Sequence, residues 1–274
     1  MISCGVFVSN CAESELIFSF RNIEENYTRY NRAVNFATAQ RLISLNRQFY
    51  SEHGRDFSET RARLQPGVLQ LLGTIDKYET ILDLGCGNGE LACTLSQRRH
   101  HGSYLGLDFS IPLLTEAERE TFAFPVNFLE ADVTEFPVMR EQLSVSDKWS
   151  LVTAFAVLHH IPSLELRLNI VKKVHEYLKK DGLFVHSNWQ FLNSPRLKAR
   201  IQPWESIGLS PQQVDSNDYL LDWKRGSTGL RYVHHFNEHE LAELAKAGRF
   251  EIIETFQSDG ENGKLGLYQI WKKA

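Results

Sequence analysis

From Thr80 onward, short apolar runs alternate with stretches whose apolar positions recur at helical spacing. Thr80–Leu84, Ser103–Asp108, Val126–Leu129 and Ser150–Phe155 read as strands, with helices over Gly89–Arg98 and Ser110–Thr121 between the first three. The longest helical pattern runs from Ser163 to Lys180, where Ile170, Val171, Val174, Tyr177 and Leu178 fall on one face. Asp181-Gly182 closes it, and Leu183–His186 opens a fifth strand. Strands alternating with helices form a parallel sheet, because each crossover lays its helix on a sheet face. The expected fold class is a doubly wound α/β sheet.

After Trp189 this rhythm breaks. Gln190–Gly229 is polar and irregular, with Pro195, Pro203 and Pro211. Loops of that length are functional or disordered, and Trp189, Trp204 and Trp223 favour a folded insertion. The pattern resumes at Asn237-Glu-His-Glu240, a capping-box-like start for a helix over Leu241–Ala247. Phe250–Phe256 and Leu265–Trp271 read as closing strands joined through Asp259-Gly260 and Asn262-Gly263 turns. The region before Thr80 reads as helical and carries eight arginines by Arg63, with no lysine. The expected organisation is a mostly helical segment 1–75 that caps a site, and a catalytic domain 76–274 with an insertion at 190–230.

Composition narrows the class of function. In 274 residues, 42% apolar and 23% charged side chains are ordinary for a globular chain and exclude disorder, collagen-like sequence and a disulfide scaffold. No run of about 18 apolar residues is present, so no membrane span is expected. A formal charge of −4 argues against a protein that coats nucleic acid through an excess of cations. A local excess survives in the insertion, where Arg196, Lys198, Arg200, Lys224, Arg225 and Arg231 outnumber Glu205, Asp215, Asp218 and Asp222. Met1–Phe20 has no basic residue and is interrupted by Ser9, Asn10, Glu13 and Glu15, which does not suit a secretion signal. Cys4, Cys11, Cys86 and Cys93 form no Cys-x-x-Cys pair, so reduced thiols and a cytoplasmic location are expected, with no metal site.

The chemistry concentrates in Leu82-Asp83-Leu84-Gly85-Cys86-Gly87-Asn88-Gly89. Three glycines follow the first strand and open a helix, where a backbone free of Cβ atoms lets a ligand approach closely. Asp108 ends the second strand, about 20 residues on, as an acid placed for ribose hydroxyls. Glu130-Ala131-Asp132 follows the third and offers an acceptor for an adenine amino group. The spacing is Gly-x-Gly-x-Gly, with Glu90 where a dinucleotide fingerprint has its last glycine. A pyrophosphate at the helix start would meet that carboxylate as like charge, so an adenosine cofactor without phosphates fits better.

Together, LDLGCGNG, YLGLDFS, LEAD, FAVLHHIP and LKKDGLFV resemble the class I methyltransferases that use S-adenosylmethionine. The resemblance implies a mostly parallel seven-stranded sheet that ends in an antiparallel hairpin strand. It implies that Asp83 and Gly85, Cys86, Gly87, Asn88 and Gly89 hold the methionine part, Asp108 the ribose and Asp132 the adenine. Phe109, Val133, Phe155 and Ala156 complete the cofactor set, together with Arg61. A narrower resemblance joins Phe57-Ser-Glu-Thr-Arg61, Val157-Leu-His-His160 and Arg231-Tyr-Val-His-His-Phe236 to the tRNA methyltransferases that esterify a carboxymethyl group on wobble uridine. That group carries Tyr where this chain has Val233.

Methyl transfer from a sulfonium is an in-line displacement, to which a protein contributes proximity and a water-poor site. A carboxylate acceptor needs a cation for positioning, and Arg61 and Arg231 suit that task through bidentate contact. Arg61 serves equally well for the cofactor's own carboxylate. His159 and His160 follow the fourth strand, where one of them could position an acceptor or remove its proton. The expected acceptor is a carboxymethyl uridine in tRNA or a small O- or N-nucleophile, with a small activator protein as a further partner. A nicotinamide oxidoreductase and a non-catalytic nucleotide-binding protein are the alternatives from other classes. The sequence sets no oligomeric state.

Overall fold

The computed structural model describes residues 34–59, 63–135, 149–225 and 227–274. Helix α1 (Phe36–Glu59) and the short α2 (Pro66–Leu71) precede the sheet. Strands β1 (Thr80–Leu84), β2 (Ser103–Asp108) and β3 (Val126–Glu130) alternate with α3 (Glu90–Gln97) and α4 (Ile111–Ala117). Strand β4 (Trp149–Phe155), a single 3₁₀ turn (Leu158–His160), α5 (Leu164–Tyr177) and β5 (Leu178–Trp189) follow. The chain closes with α7 (Glu238–Ala247), β9 (Phe250–Ser258) and β10 (Gly266–Lys273), after an insertion treated below.

The seven strands lie in the order β3-β2-β1-β4-β5-β10-β9, with β10 antiparallel to both of its neighbours. The expected doubly wound sheet is therefore present, hairpin strand included. One face packs on α2, α3 and α4 through Val68, Leu71, Leu91, Leu95 and Leu114. The other packs on α5 and α7 through Ile170, Val171, Val174, Leu241 and Leu244. The long helix ends earlier than its pattern suggests. Leu178 is extended and pairs with Trp149, so Lys179 and Lys180 belong to the start of β5. Strand pairing overrides the helical preference of that segment.

The insertion is more regular than its composition indicates. It contains α6 (Pro195–Lys198), β6 (Ile201–Gln202) and β7 (Asp218–Arg225), and runs into β8 (Ser227–His234), which continues past 230. The strands form a second, antiparallel sheet in the order β6-β7-β8. Leu220 and Tyr232 pack on one side of it with Leu42 of α1, and Leu221 and Val233 pack on the other with Phe191. Burial on both sides removes the polar–apolar alternation that identifies a half-exposed strand. Helix α1 thus shares a hydrophobic core with the insertion.

Gly67 ties α2 to the closing hairpin. Its N–H donates to Asp259 Oδ1 at 3.0 Å, and a Cβ there would stand 2.4 Å from the Tyr268 ring. Gly67→Ala is expected to cost about 1–3 kcal/mol through overpacking. A lowered denaturant midpoint with an unchanged slope is the result that checks it.

Candidate active site

Strand order reverses at β1, and ligands in such sheets bind outside the carboxyl ends of the strands at that point. A cavity of about 520 Å³ lies there, lined by the glycine loop, the ends of β2, β4 and β5, and residues of α1. That volume is in the range of small-molecule and cofactor sites.

The glycine loop forms the floor. Gly85 and Gly87 have φ of +70° and +57°, conformations that cost other residues strain. A Cβ at Gly87 would meet nothing within 4 Å, so its Cα faces open space. Gly87 N–H donates to Asp108 Oδ2 at 2.9 Å, while Ser110 N–H donates to Oδ1 at 2.8 Å. Asp108 is thereby held beside the loop, and burial pushes its carboxyl above the ordinary range. Asp83 is buried and accepts from Tyr104 Oη and Thr153 Oγ1, each at 2.6 Å. Burial pushes its carboxyl up to about 6 against the two hydrogen bonds. Open glycine backbone, anchored acids and cavity size together fit an adenosyl cofactor without phosphates.

Asp132 holds a different set of partners. Thr134 N–H donates to its Oδ1 at 2.6 Å, and Thr134 Oγ1 donates to the same oxygen. Arg47 of α1 donates Nε at 2.8 Å, and also Nη2, to Oδ2. The same Nη2 donates to Glu135 Oε1 at 3.1 Å.

Of the expected cofactor residues, Asp83, Gly85, Cys86, Gly87, Asn88, Asp108, Phe109, Asp132, Val133, Phe155 and Ala156 line the cavity. Gly89 stands off it, at the start of α3, and faces Ala117 and Phe128. Arg61 lies outside the described residues, as do Met1–Arg21.

The two histidines part company. His160 lines the cavity, while His159 is 1% exposed and accepts from Trp189 N–H at 3.3 Å. His160 Nδ1 lies 3.1 Å from the Tyr232 carbonyl, which can only accept, so that nitrogen carries the ring proton. Nε2, 2.8 Å from Tyr50 Oη, then accepts from the phenol. Asn46, one turn before Tyr50, pairs with the backbone of Tyr232 in both directions. Its Nδ2 donates to the carbonyl at 3.1 Å and its Oδ1 accepts from the N–H at 2.8 Å.

Arg231 does not reach the cavity wall. It is buried, with its guanidinium 4.7 Å from the Trp189 ring, 5.4 Å from Phe49 and 5.9 Å from Trp223. The arginines that do line the cavity are Arg47, Arg63 and Arg196. Sequence reasoning missed Asn46, Arg47 and Tyr50, whose only advance signal was an arginine-rich helical segment.

Behind His160 sits a buried charge cluster. Arg167 of α5 is 0% exposed and reaches Asp215 at 3.6 Å and both Asp218 and Glu240 at 3.4 Å. It also donates to Tyr232 Oη at 3.0 Å. His234 bridges Asp218 and Glu240 at 2.6 and 2.8 Å, which places it in the framework. Among the described residues no group of three acids, histidines or cysteines is arranged to hold a metal, and no helix is long and apolar enough to cross a membrane.

Comparison with known proteins agrees with this geometry. A family model described as a methyltransferase domain matches residues 57–255. A protein of Encephalitozoon cuniculi named as a methyltransferase is 28% identical over 211 residues, 76% of this chain and 87% of that protein. The 1,6-didemethyltoxoflavin-N1-methyltransferase of Burkholderia thailandensis, solved with that compound and S-adenosylhomocysteine, superposes with a TM-score of 0.57 at 19% identity, over 85% of this chain and 87% of that one. The magnesium protoporphyrin IX methyltransferase of Synechocystis PCC 6803, solved with S-adenosylhomocysteine, gives 0.57 at 16% identity, over 85% and 99%. These structures share the fold. The matched region contains the glycine loop, both acids that follow it and the strand-four histidines, and the chain belongs to the S-adenosylmethionine-dependent methyltransferases.

Proposed function

We propose that the chain methylates an oxygen or nitrogen that sheds a proton to Tyr50 and His160. The observation that carries this reading is the 2.8 Å contact between Tyr50 Oη and His160 Nε2 at the cavity wall, with Nδ1 tied to Tyr232. S-adenosylmethionine supplies an electrophilic methyl group when bound. The acceptor's proton passes to Tyr50 Oη as the phenol proton moves to His160 Nε2. The imidazolium so formed keeps its Nδ1–H on the Tyr232 carbonyl. The glycine loop and Asp108 orient the cofactor, and α1 with Trp189 excludes water.

A second reading is methylation of a carboxymethyl uridine in tRNA. Arg63 and Arg196 at the cavity wall favour it, with Lys198 and Arg200 close by in the chain. That acceptor is already anionic and needs no base. Transfer of labelled methyl from S-adenosylmethionine separates the two, with carboxymethyl-uridine tRNA tested beside a panel of phenols, alcohols and ring N–H compounds. Labelling confined to the panel supports the first reading, and labelling of the tRNA alone overturns it.

Asp83 provides a test of the cofactor end. The ammonium of a bound methionine moiety favours the ionised carboxylate, while burial holds the free group's pKa at about 6. Affinity for S-adenosylhomocysteine is therefore expected to tighten as pH rises through about 6. Asp83→Asn is expected to flatten that profile, measured by calorimetry between pH 5 and 8.

A further inference from the structure

The resemblance assigns the adenine amino group to Asp132, yet the protein already fills this carboxylate. An ionised carboxylate offers about four lone-pair sites on its two oxygens. Thr134 uses Oδ1 twice, and Arg47 uses Oδ2 twice. The two occupants differ in permanence. Thr134 is bound within its own turn, two residues along the chain, whereas Arg47 reaches across from α1. Arg47 is also 43% exposed at its side chain, and Nη2 already touches Glu135, which is 67% exposed. Asp132 itself is only 9% exposed, but Arg47 holds it through one of its two oxygens rather than as a two-oxygen fork, and its own half-exposed guanidinium has water and Glu135 to turn to. Arg47 can therefore leave Asp132 without losing every anionic partner, and Thr134 cannot.

The geometry points to Arg47 as a residue that sets cofactor affinity by competition: the adenine amino group takes Asp132 Oδ2 only as Arg47 withdraws from it toward Glu135. This inference rests on the cofactor site above and on Asp132 as its adenine contact. The hydrogen bond from the cofactor replaces one from the protein, so part of the gain on binding is offset by the loss of the Arg47 contact. The device opposes binding, although it is a cation lining a site full of acids. A purely structural Arg47 would have the reverse effect, since its removal would loosen α1 over the cavity.

Calorimetric titration tests it with two ligands, S-adenosylhomocysteine and S-inosylhomocysteine, which has a carbonyl in place of the amino group. Arg47→Ala is expected to bind S-adenosylhomocysteine about two- to fivefold more tightly than the unmodified chain, the size of a half-exposed, single-oxygen ion pair converted to affinity. The same variant is expected to show no gain for S-inosylhomocysteine. Asp132→Ala is expected to weaken S-adenosylhomocysteine about tenfold. Unchanged or weaker binding by Arg47→Ala, or an equal gain for both ligands, overturns the competition. Full affinity in Asp132→Ala removes the adenine contact and the inference with it. Failure of the unmodified chain to bind S-adenosylhomocysteine instead fails the cofactor site itself. Melting temperatures of all three proteins show that the comparison is between folded chains.

Discussion

Arg167→Met is expected to destabilise the fold by about 3–5 kcal/mol, because it leaves three buried carboxylates without their cation. That is a large fraction of the roughly 5–15 kcal/mol that holds a domain together. The guanidinium is fully buried among Asp215, Asp218 and Glu240, and its Nε donates to the Ile161 carbonyl at 2.9 Å. Water cannot replace any of these contacts. Arg167→Lys keeps the charge and loses the planar fork, so its cost is expected to fall between zero and that of methionine. Denaturant unfolding measures both, and a methionine variant within about 1 kcal/mol of the unmodified chain would show that the carboxylates are neutral. The cluster also has a pH signature. Burial beside Asp218 pushes Asp215 up to about 6, against an ordinary 3.8. A folded pKa above the unfolded one means that the folded state binds the extra proton. Its contribution is therefore full below about pH 4 and lost as pH rises through about 6. Asp218 is held below its ordinary value by His234 and Arg167 against the cost of burial, and its contribution is lost only as pH falls into the acid range.

Tyr50→Phe and His160→Gln are each expected to lower kcat by about 10²- to 10⁴-fold on an acceptor that must lose a proton. Affinity for S-adenosylhomocysteine is expected to change by less than about threefold in either variant, since a loss confined to the chemical step leaves cofactor binding alone. The double variant should lose little more than the worse single one, because one proton path serves both residues. Undiminished turnover in both variants would move the assignment to an acceptor that is anionic before it binds.

Strands β1 to β3 were legible because α3 and α4 separate them, and β4 and β5 because α5 does, a succession of lengths and periods that a covered parallel sheet satisfies. The glycine loop was legible for another reason: its positive φ values are a local demand that the glycines at 85, 87 and 89 meet by themselves. The small sheet carried no such signature. Tyr219, Leu220, Leu221, Asp222 and Trp223 follow one another without alternation because α1 covers one side and the Phe191 segment the other. The place of Arg231, off the cavity lining, was equally hidden. Its neighbour Tyr232 packs with Leu42, so Arg231 shares the other face of the sheet with Leu221 and ends among Trp189, Trp223 and Phe49, which α1 brings round the edge of the sheet. His159 and His160 could not be separated by sequence, since a 3₁₀ turn sends successive side chains in different directions. Asn46, Arg47 and Tyr50 were hidden by distance along the chain. Asn46 and Tyr50 are one helical turn apart, but their partners Tyr232 and His160 are 186 and 110 residues away.

The carboxamide of Asn46 does for β8 what another strand would do. Strand β8 lies at the rim of the three-stranded sheet, where unpaired N–H and C=O groups invite a second chain to add on. By accepting from one of those groups and donating to the other at Tyr232, a single helical side chain occupies that rim two residues from its end. Helix α1 is in this sense a guard against self-association, and its loss would expose an adhesive edge as well as open a cavity.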